Sequence, residues 1–178
     1  SMYGVVDFYR EAKSQGIHPV IGCEVYMAPR SRFDKVHDID NKTSHLILLA
    51  ENQRGYKNLI KLVSAGYIDG FYYKPRIDFE MLKEHSEGII ALSACIAGEV
   101  PKALLRGDYD EAKKIALKYA EVLGKDNYFL EIQDHGLSEQ KRINSGYVEI
   151  IGGNGYRTCC DKRYTLFEKK RTQSIRMF

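Results

Sequence analysis

Three residues of this chain carry side chains that bind transition metals, and each lies in or beside an apolar run typical of a buried strand. Glu24 stands in IGCEVYMAP (21–29), His45 in SHLILLAEN (44–52) and Cys95 in ALSACIAGE (91–99). A carboxylate, an imidazole and a thiolate together suit zinc, and suit manganese or iron where further oxygen and nitrogen donors join. Three donors do not support two- or three-metal chemistry, so the set reads as part of a site. Singly, each has a plainer reading. A strand glutamate is commonly solvated or ion-paired, a histidine at the mouth of an apolar strand is commonly a hydrogen-bonded core residue, and a lone cysteine is a small buried hydrophobe. Lys74 and Arg76 in FYYKPRID are candidates to hold a phosphate or DNA backbone, although a basic loop is normally just solvated. Asp134 and His135 in EIQDHG pair an acid with an imidazole, but Asp-His-Gly is also ordinary turn chemistry after a strand.

The elements that must position these residues alternate between helix and strand. Residues 3–15 carry Val5, Phe8, Tyr9 and Ala12 at helical spacing and stop at Gly16. Residues 19–27 read as a strand with Ile21, Cys23 and Val25 on one face and Glu24 and Tyr26 on the other. The polar stretch 31–43 predicts a surface loop, and 45–50 a strand buried on both faces. Helices follow over 54–67, 78–85 (capped by Asp78), 98–105 and 109–123, the last ended by Gly124. Strands are expected over 88–93 and 127–132. Such alternation argues an α/β layered or barrel fold with mostly parallel strands. After about residue 144 the pattern fails: 145–178 has no sustained period and no convincing caps, and sets Cys159–Cys160 beside a basic run.

The 178 residues fit one domain, here read as 1–144 followed by an anomalous tail, 145–178. The tail explains the net charge of +3: it holds seven basic and three acidic residues, whereas 1–144 holds 20 and 21. Charge alone therefore predicts no nucleic-acid partner for the patterned part. Four cysteines form neither a disulfide framework nor a CxxC zinc ribbon. No apolar stretch approaches the roughly 20 residues of a membrane span and no signal-peptide pattern is found, so the cytoplasm is the expected compartment and no membrane partner is expected.

Order and context single out one family. GCEVYMAPRSR, SHLILLAEN, NLIKLVSAGYIDGFYYKPRID, GIIALSACIAGEVPKALLRGD and YFLEIQDHGLSEQKRIN occur with the spacing of the PHP (polymerase and histidinol phosphatase) domain, in the form that opens the bacterial DNA polymerase III alpha subunit. The resemblance covers residues 1 to about 144. It implies a distorted (β/α)7 barrel, incomplete here with its first and last strand–helix units missing. It also implies a cluster of divalent metals (zinc, manganese or iron) at the C-terminal strand ends, to which Glu24, His45 and Cys95 contribute. Where that cluster is complete the resemblance implies metal-dependent phosphoester hydrolysis, used as 3′→5′ proofreading; metals activate the water and stabilise the attacking and leaving oxygens. Where it is not, the domain serves as a structural platform. The parent polymerase site would use magnesium, and DNA, the sliding clamp and the proofreading subunit would be partners.

The chain departs from the family pattern at both ends. His-x-His and Thr-Asp-His-Gly blocks are expected upstream, and an Asn-Asp-x-His-Tyr block is expected where the tail lies. Read one nucleotide later, favourable codon choices for 152–167 include E-E-T-G-I-E-L-V-A-T-N-D-I-H-Y-L, so a shifted reading frame is the expected origin of the tail. With part of its cluster absent, the chain alone is expected to be inactive, and its open sheet edges to make it prone to aggregation.

Overall fold

In the computed structural model, residues 2–124, 126–154 and 174–177 are described, with backbone alone for 152–154 and 174–177. Helix α1 (Val5–Ser14) leads into β1 (His18–Met27), and a helix-free connection leads on to β2 (Ser44–Ala50). Helix α2 (Gln53–Ile68) follows, then the short strands β3 (Phe71–Tyr72) and β4 (Lys74–Ile77), helix α3 (Phe79–Glu84) and β5 (Ile89–Leu92). Helices α4 (Glu99–Leu105) and α5 (Tyr109–Leu123) precede β6 (Tyr128–Phe129), α6 (Ser138–Asn154) and β7 (Ser174–Met177). The seven strands make one sheet in the order β3-β4-β1-β2-β5-β6, with β7 paired to the first half of β1. This curled, mixed α/β sheet is a partial barrel of the expected kind.

Its strands are not mostly parallel, however. β2 runs antiparallel to both neighbours, β1 and β5, while β1–β4 and β5–β6 are parallel. The cause lies in the connections. Parallel neighbours need a crossover, and α4 with α5 supply one between β5 and β6; the 28–43 segment contains no helix, so the chain simply turns back. The reversal matters for the site. It brings the start of β2 beside the ends of β1 and β5, so His45 faces Tyr26 across the ladder and lies near the residues that follow Leu92.

Local chemistry accounts for the helix boundaries. Asn52, Asp78 and Asp108 each cap a helix by accepting from the backbone N–H of Gly55, Met81 and Glu111. On α5, Ala112, Ala116, Tyr119, Ala120 and Leu123 face inward, and Ile115 and Val122 are half-buried beside them. The main core fills the space between the outer face of the sheet (Cys23, Val25, Met27, Leu46, Leu48) and the helices. Close backbone approach is required where α2 passes the turn before β5: a Cβ on Gly55 would overlap the Gly88 carbonyl oxygen. Gly55→Ala is expected to cost about 1–3 kcal/mol by overpacking, read as a lower urea midpoint at unchanged slope.

Three expectations change. The 31–43 stretch is not a merely solvated loop, because the Asp40 side chain is fully buried and paired with Arg30 at 2.6 Å. Of the 127–132 strand, Tyr128–Phe129 pair with β5, which ends at Leu92; Ala94 takes a left-handed φ of 62°, and the Ser93 hydroxyl accepts from the Glu131 N–H. The boundary at 144 falls inside α6, whose Ile143, Tyr147 and Ile150 are buried against α4 and the sheet. The cysteine pair and the basic run of the tail lie outside the described residues.

Candidate functional site

Glu24, His45 and Cys95 come from three elements and meet at one rim of the sheet. Glu24 projects from β1 on the face opposite Cys23 and Val25, and His45 opens β2. Cys95 follows β5 in a turn strapped onto β2: the His45 N–H donates to Ala97 O at 3.0 Å and the Gly98 N–H to Cys95 O at 2.9 Å. The left-handed Ala94 and a glycine at 98 make that turn; a Cβ at Gly98 would overlap the Ser93 carbonyl oxygen. The outcome is a shared contact. His45 Nδ1 lies 3.5 Å from Glu24 Oε1 and 3.5 Å from Cys95 Sγ.

The carboxylate contact is long for a hydrogen bond and the thiol contact is ordinary for sulfur; both also match the spacing of neighbouring ligands on one ion. Tetrahedral zinc with bonds of roughly 2.0–2.3 Å sets its donors about 3.3–3.8 Å apart. Donor chemistry and the two edges at Nδ1 therefore suit a divalent metal. The set does not close into a site: among the described residues, no group of three or more His, Cys, Asp or Glu is placed to hold a metal ion.

The surroundings tune the imidazole. Burial holds the His45 pKa below its usual value, and the positive charges of Lys74 and Lys102 reinforce this while the Glu24 carboxylate opposes it. A neutral ring at pH 7 follows, which is the form that binds metals. Tyr26 packs edge-on against the His45 ring, centroids 5.1 Å apart, and the Lys74 ammonium lies 4.4 Å from the Tyr26 ring centre. Lys102 on α4 donates to Thr43 O at 2.7 Å; burial lowers its pKa, against the attraction of Glu99 and Cys95.

Other expected residues fare differently. Lys74 is exposed beside the rim, but Arg76 is fully buried and its guanidinium donates to four backbone oxygens: Gly70, Asp40, Arg32 and Asp34. A side chain so enclosed offers no face to a phosphate, and Arg76 instead ties the 28–43 segment to the sheet. Asp134 and His135 make the turn: Asp134 accepts from the Gly136 N–H, and Gln140 bonds both the N–H and the ring of His135. Tyr26 and Lys102 were missed as site residues. Strand alternation from Glu24 marks Tyr26, and a place one helical turn after Glu99 marks Lys102.

A curled mixed sheet that gathers carboxylate, imidazole and thiol at one rim is a half-barrel of α/β type. The PHP domain family matches residues 1–135, and the chain belongs to that family. It is similar to proteins named DNA polymerase III subunit alpha. It shares 48% identity over 151 residues with that of Treponema pallidum, covering 84% of this chain. With that of Chlamydia pneumoniae it shares 47% over 171 residues (96%), and with that of Thermus aquaticus 40% over 179 residues (98%). The chain spans only 13–15% of the length of these relatives. No helix among the described residues is long and apolar enough to cross a membrane.

Proposed function

We propose that this chain is the PHP module of a DNA polymerase III alpha-type subunit, and that Glu24, His45 and Cys95 are part of a divalent-metal site for phosphoester hydrolysis at DNA 3′ ends. The meeting of carboxylate and thiol on the single nitrogen His45 Nδ1 carries this reading. Zinc, manganese and iron suit the donor set, and the remaining donors come from outside these three residues. When bound, the metal lowers the pKa of water and stabilises charge on the phosphodiester oxygens. The chain's own residues position it: Glu24 from β1, a neutral His45 braced by Tyr26, and Cys95 fixed by the 95–98 turn. Lys74 lies at the rim, where an ammonium can meet a phosphate. DNA, a sliding clamp and a proofreading subunit are the partners this reading implies, with magnesium at the separate polymerising site and the cytoplasm as compartment. A reading-frame shift at the start of the tail belongs to the same proposal; an intact frame reproduced in independent DNA would sink it.

The experiment compares the 178-residue chain with the longer protein on labelled single-stranded DNA. The longer protein is expected to shorten 3′ ends in a metal-dependent way, with Glu24→Ala lowering the rate at least about 100-fold. The chain alone is expected to show no extension and little or no hydrolysis. Robust hydrolysis by the chain, or an unchanged rate in the variant, refutes the assignment. A purely structural role for the domain is the second reading, favoured by the absence of a closed metal group among the described residues; no metal uptake by the longer protein would establish it.

A further inference from the structure

A cleft of about 410 Å³ opens beside the rim, where β4 joins β1 at Tyr26 and Met27. Its volume falls in the range of roughly 300–1,000 Å³ typical of small-ligand pockets. Helix α2 lines it with Val63 and Tyr67, β1 with Glu24 and Tyr26, and the β3–β4 hairpin with Tyr73 and Lys74. Three phenol rings and an ammonium thus share a cleft with Glu24 of the rim, and the Tyr26 ring in turn packs on His45.

The hairpin carries the strongest signal. Phe71 pairs with Pro75 and Tyr72 with Lys74, so Tyr73 alone makes the connection. It does so at a φ of 58°, in the left-handed region. Glycine adopts that conformation freely, whereas a bulky side chain there is a costly outlier. The ring is not used for core packing, because Tyr73 is 65% exposed. Edge-on contacts hold it, with ring centres 4.8 Å from Tyr72 and 6.3 Å from His37. Tyr67 is also exposed, and the Lys74 ammonium rests on the Tyr26 ring. Exposed, pre-oriented aromatic rings beside a cation are a means of holding single-stranded nucleic acid: bases stack on the rings while the phosphate meets the cation.

We propose that this cleft receives the 3′-terminal base of single-stranded DNA, stacked on Tyr73, with Lys74 against the adjoining phosphate. This assignment rests on the reading of 3′-end hydrolysis above and adds the residue that positions the strand. Glu24 belongs to both places, so a base held in the cleft sets its own phosphate next to the rim. Stacking accepts any base, since every base has a π face, and that suits removal of a terminal nucleotide of any identity. Tyr73 is then a positioning residue and takes no part in the chemistry.

Binding of a short fluorescent oligothymidylate to the purified chain in EDTA, with circular dichroism as the fold check, tests the cleft apart from any metal. Tyr73→Gly is expected to weaken binding at least about fivefold, the lower end for loss of one stacked base. Its Tm should stay or rise, because the left-handed turn relaxes. Tyr73→Phe keeps the ring and should stay within about twofold of the unaltered chain. Lys74→Gln should make log affinity against log salt shallower by about 0.7, one phosphate contact on a single strand. An oligonucleotide abasic at its 3′ end should bind the unaltered chain as weakly as the intact one binds Tyr73→Gly. Unchanged affinity in Tyr73→Gly, or no DNA binding by a folded chain, overturns the proposal; a lowered Tm alongside would make Tyr73 a packing residue. The longer protein separates the two readings and decides where the chain folds poorly: Tyr73→Gly should raise the KM for 3′ shortening with kcat nearly unaltered, whereas Glu24→Ala lowers kcat. An unchanged KM overturns the cleft assignment and leaves hydrolysis standing. Absence of hydrolysis removes that reading, and the metal-free binding still decides this one.

Discussion

Replacing Arg76 with methionine is expected to lower the unfolding free energy by about 3–5 kcal/mol, the range for removing one partner from a buried charged network. The guanidinium is fully buried, and four of its N–H groups are engaged: Nε to Gly70 O at 3.0 Å, one terminal nitrogen to Asp40 O at 2.7 Å, and the other to Arg32 O and Asp34 O at 2.9 Å each. Methionine fills much of the volume but leaves those oxygens without donors in a dry setting, at about 1–3 kcal/mol for each that water cannot reach. The damage propagates along the chain, because the same loop holds Asp40 against Arg30 and the backbone N–H of Arg32 against Asp78, which also caps α3. Lysine is expected to rescue little, since a single ammonium cannot span four acceptors. Urea denaturation followed by circular dichroism reads the change. A loss below about 1 kcal/mol would show that the loop does not depend on this residue.

Arg76 also shows where the sequence stops being informative. Its type and its place in a basic loop suggest an anion ligand, because sequence shows the charge and conceals the carbonyls that a folded loop turns toward it. β1, β2, α2 and α5 were legible, since period-2 and period-3.6 patterning and the caps at Asn52, Asp78 and Asp108 are written locally. Strand direction was not: whether β2 runs with β1 or against it depends on the path of residues 28–43, which no periodicity reports. No helix was expected over α6. Ile143, Tyr147 and Ile150 keep helical spacing across residue 144, but Gly146, Gly152 and Gly153 weaken the pattern that would announce it. Gly146 has a reason to be there, since its missing side chain makes room for Leu104 of α4. For the site, residue types and the resemblance named Glu24, His45 and Cys95 as one set. The path that brings them together, through the reversed β2 and the left-handed Ala94, is written in no local pattern.

His45→Ala is expected to be the most damaging single change to the site while leaving the fold largely intact. Glu24 and Cys95 meet through His45 Nδ1, so alanine removes the corner common to both edges, and divalent-metal affinity of the longer protein should fall by at least about 100-fold, beyond the 10–100-fold typical of outer-sphere changes. The His45 side chain is 21% exposed and its ring packs on Tyr26, so the stability loss should stay near about 1–2 kcal/mol. The pH dependence supplies a second signature. Because burial and the two lysines hold the folded pKa below the unfolded value of 6.5, the unfolded state binds the proton more readily. The resulting stabilisation is fully present above about pH 6.5 and is lost as pH falls through the folded pKa. Metal binding should decline over the same descent, since protonation takes the ligand lone pair. His45→Gln, which cannot titrate, should flatten this part of a Tm-against-pH profile between about pH 5 and 7.5. A profile unchanged by the substitution, or metal affinity within threefold of the unaltered protein, would separate His45 from the site and leave Glu24 and Cys95 as unrelated neighbours.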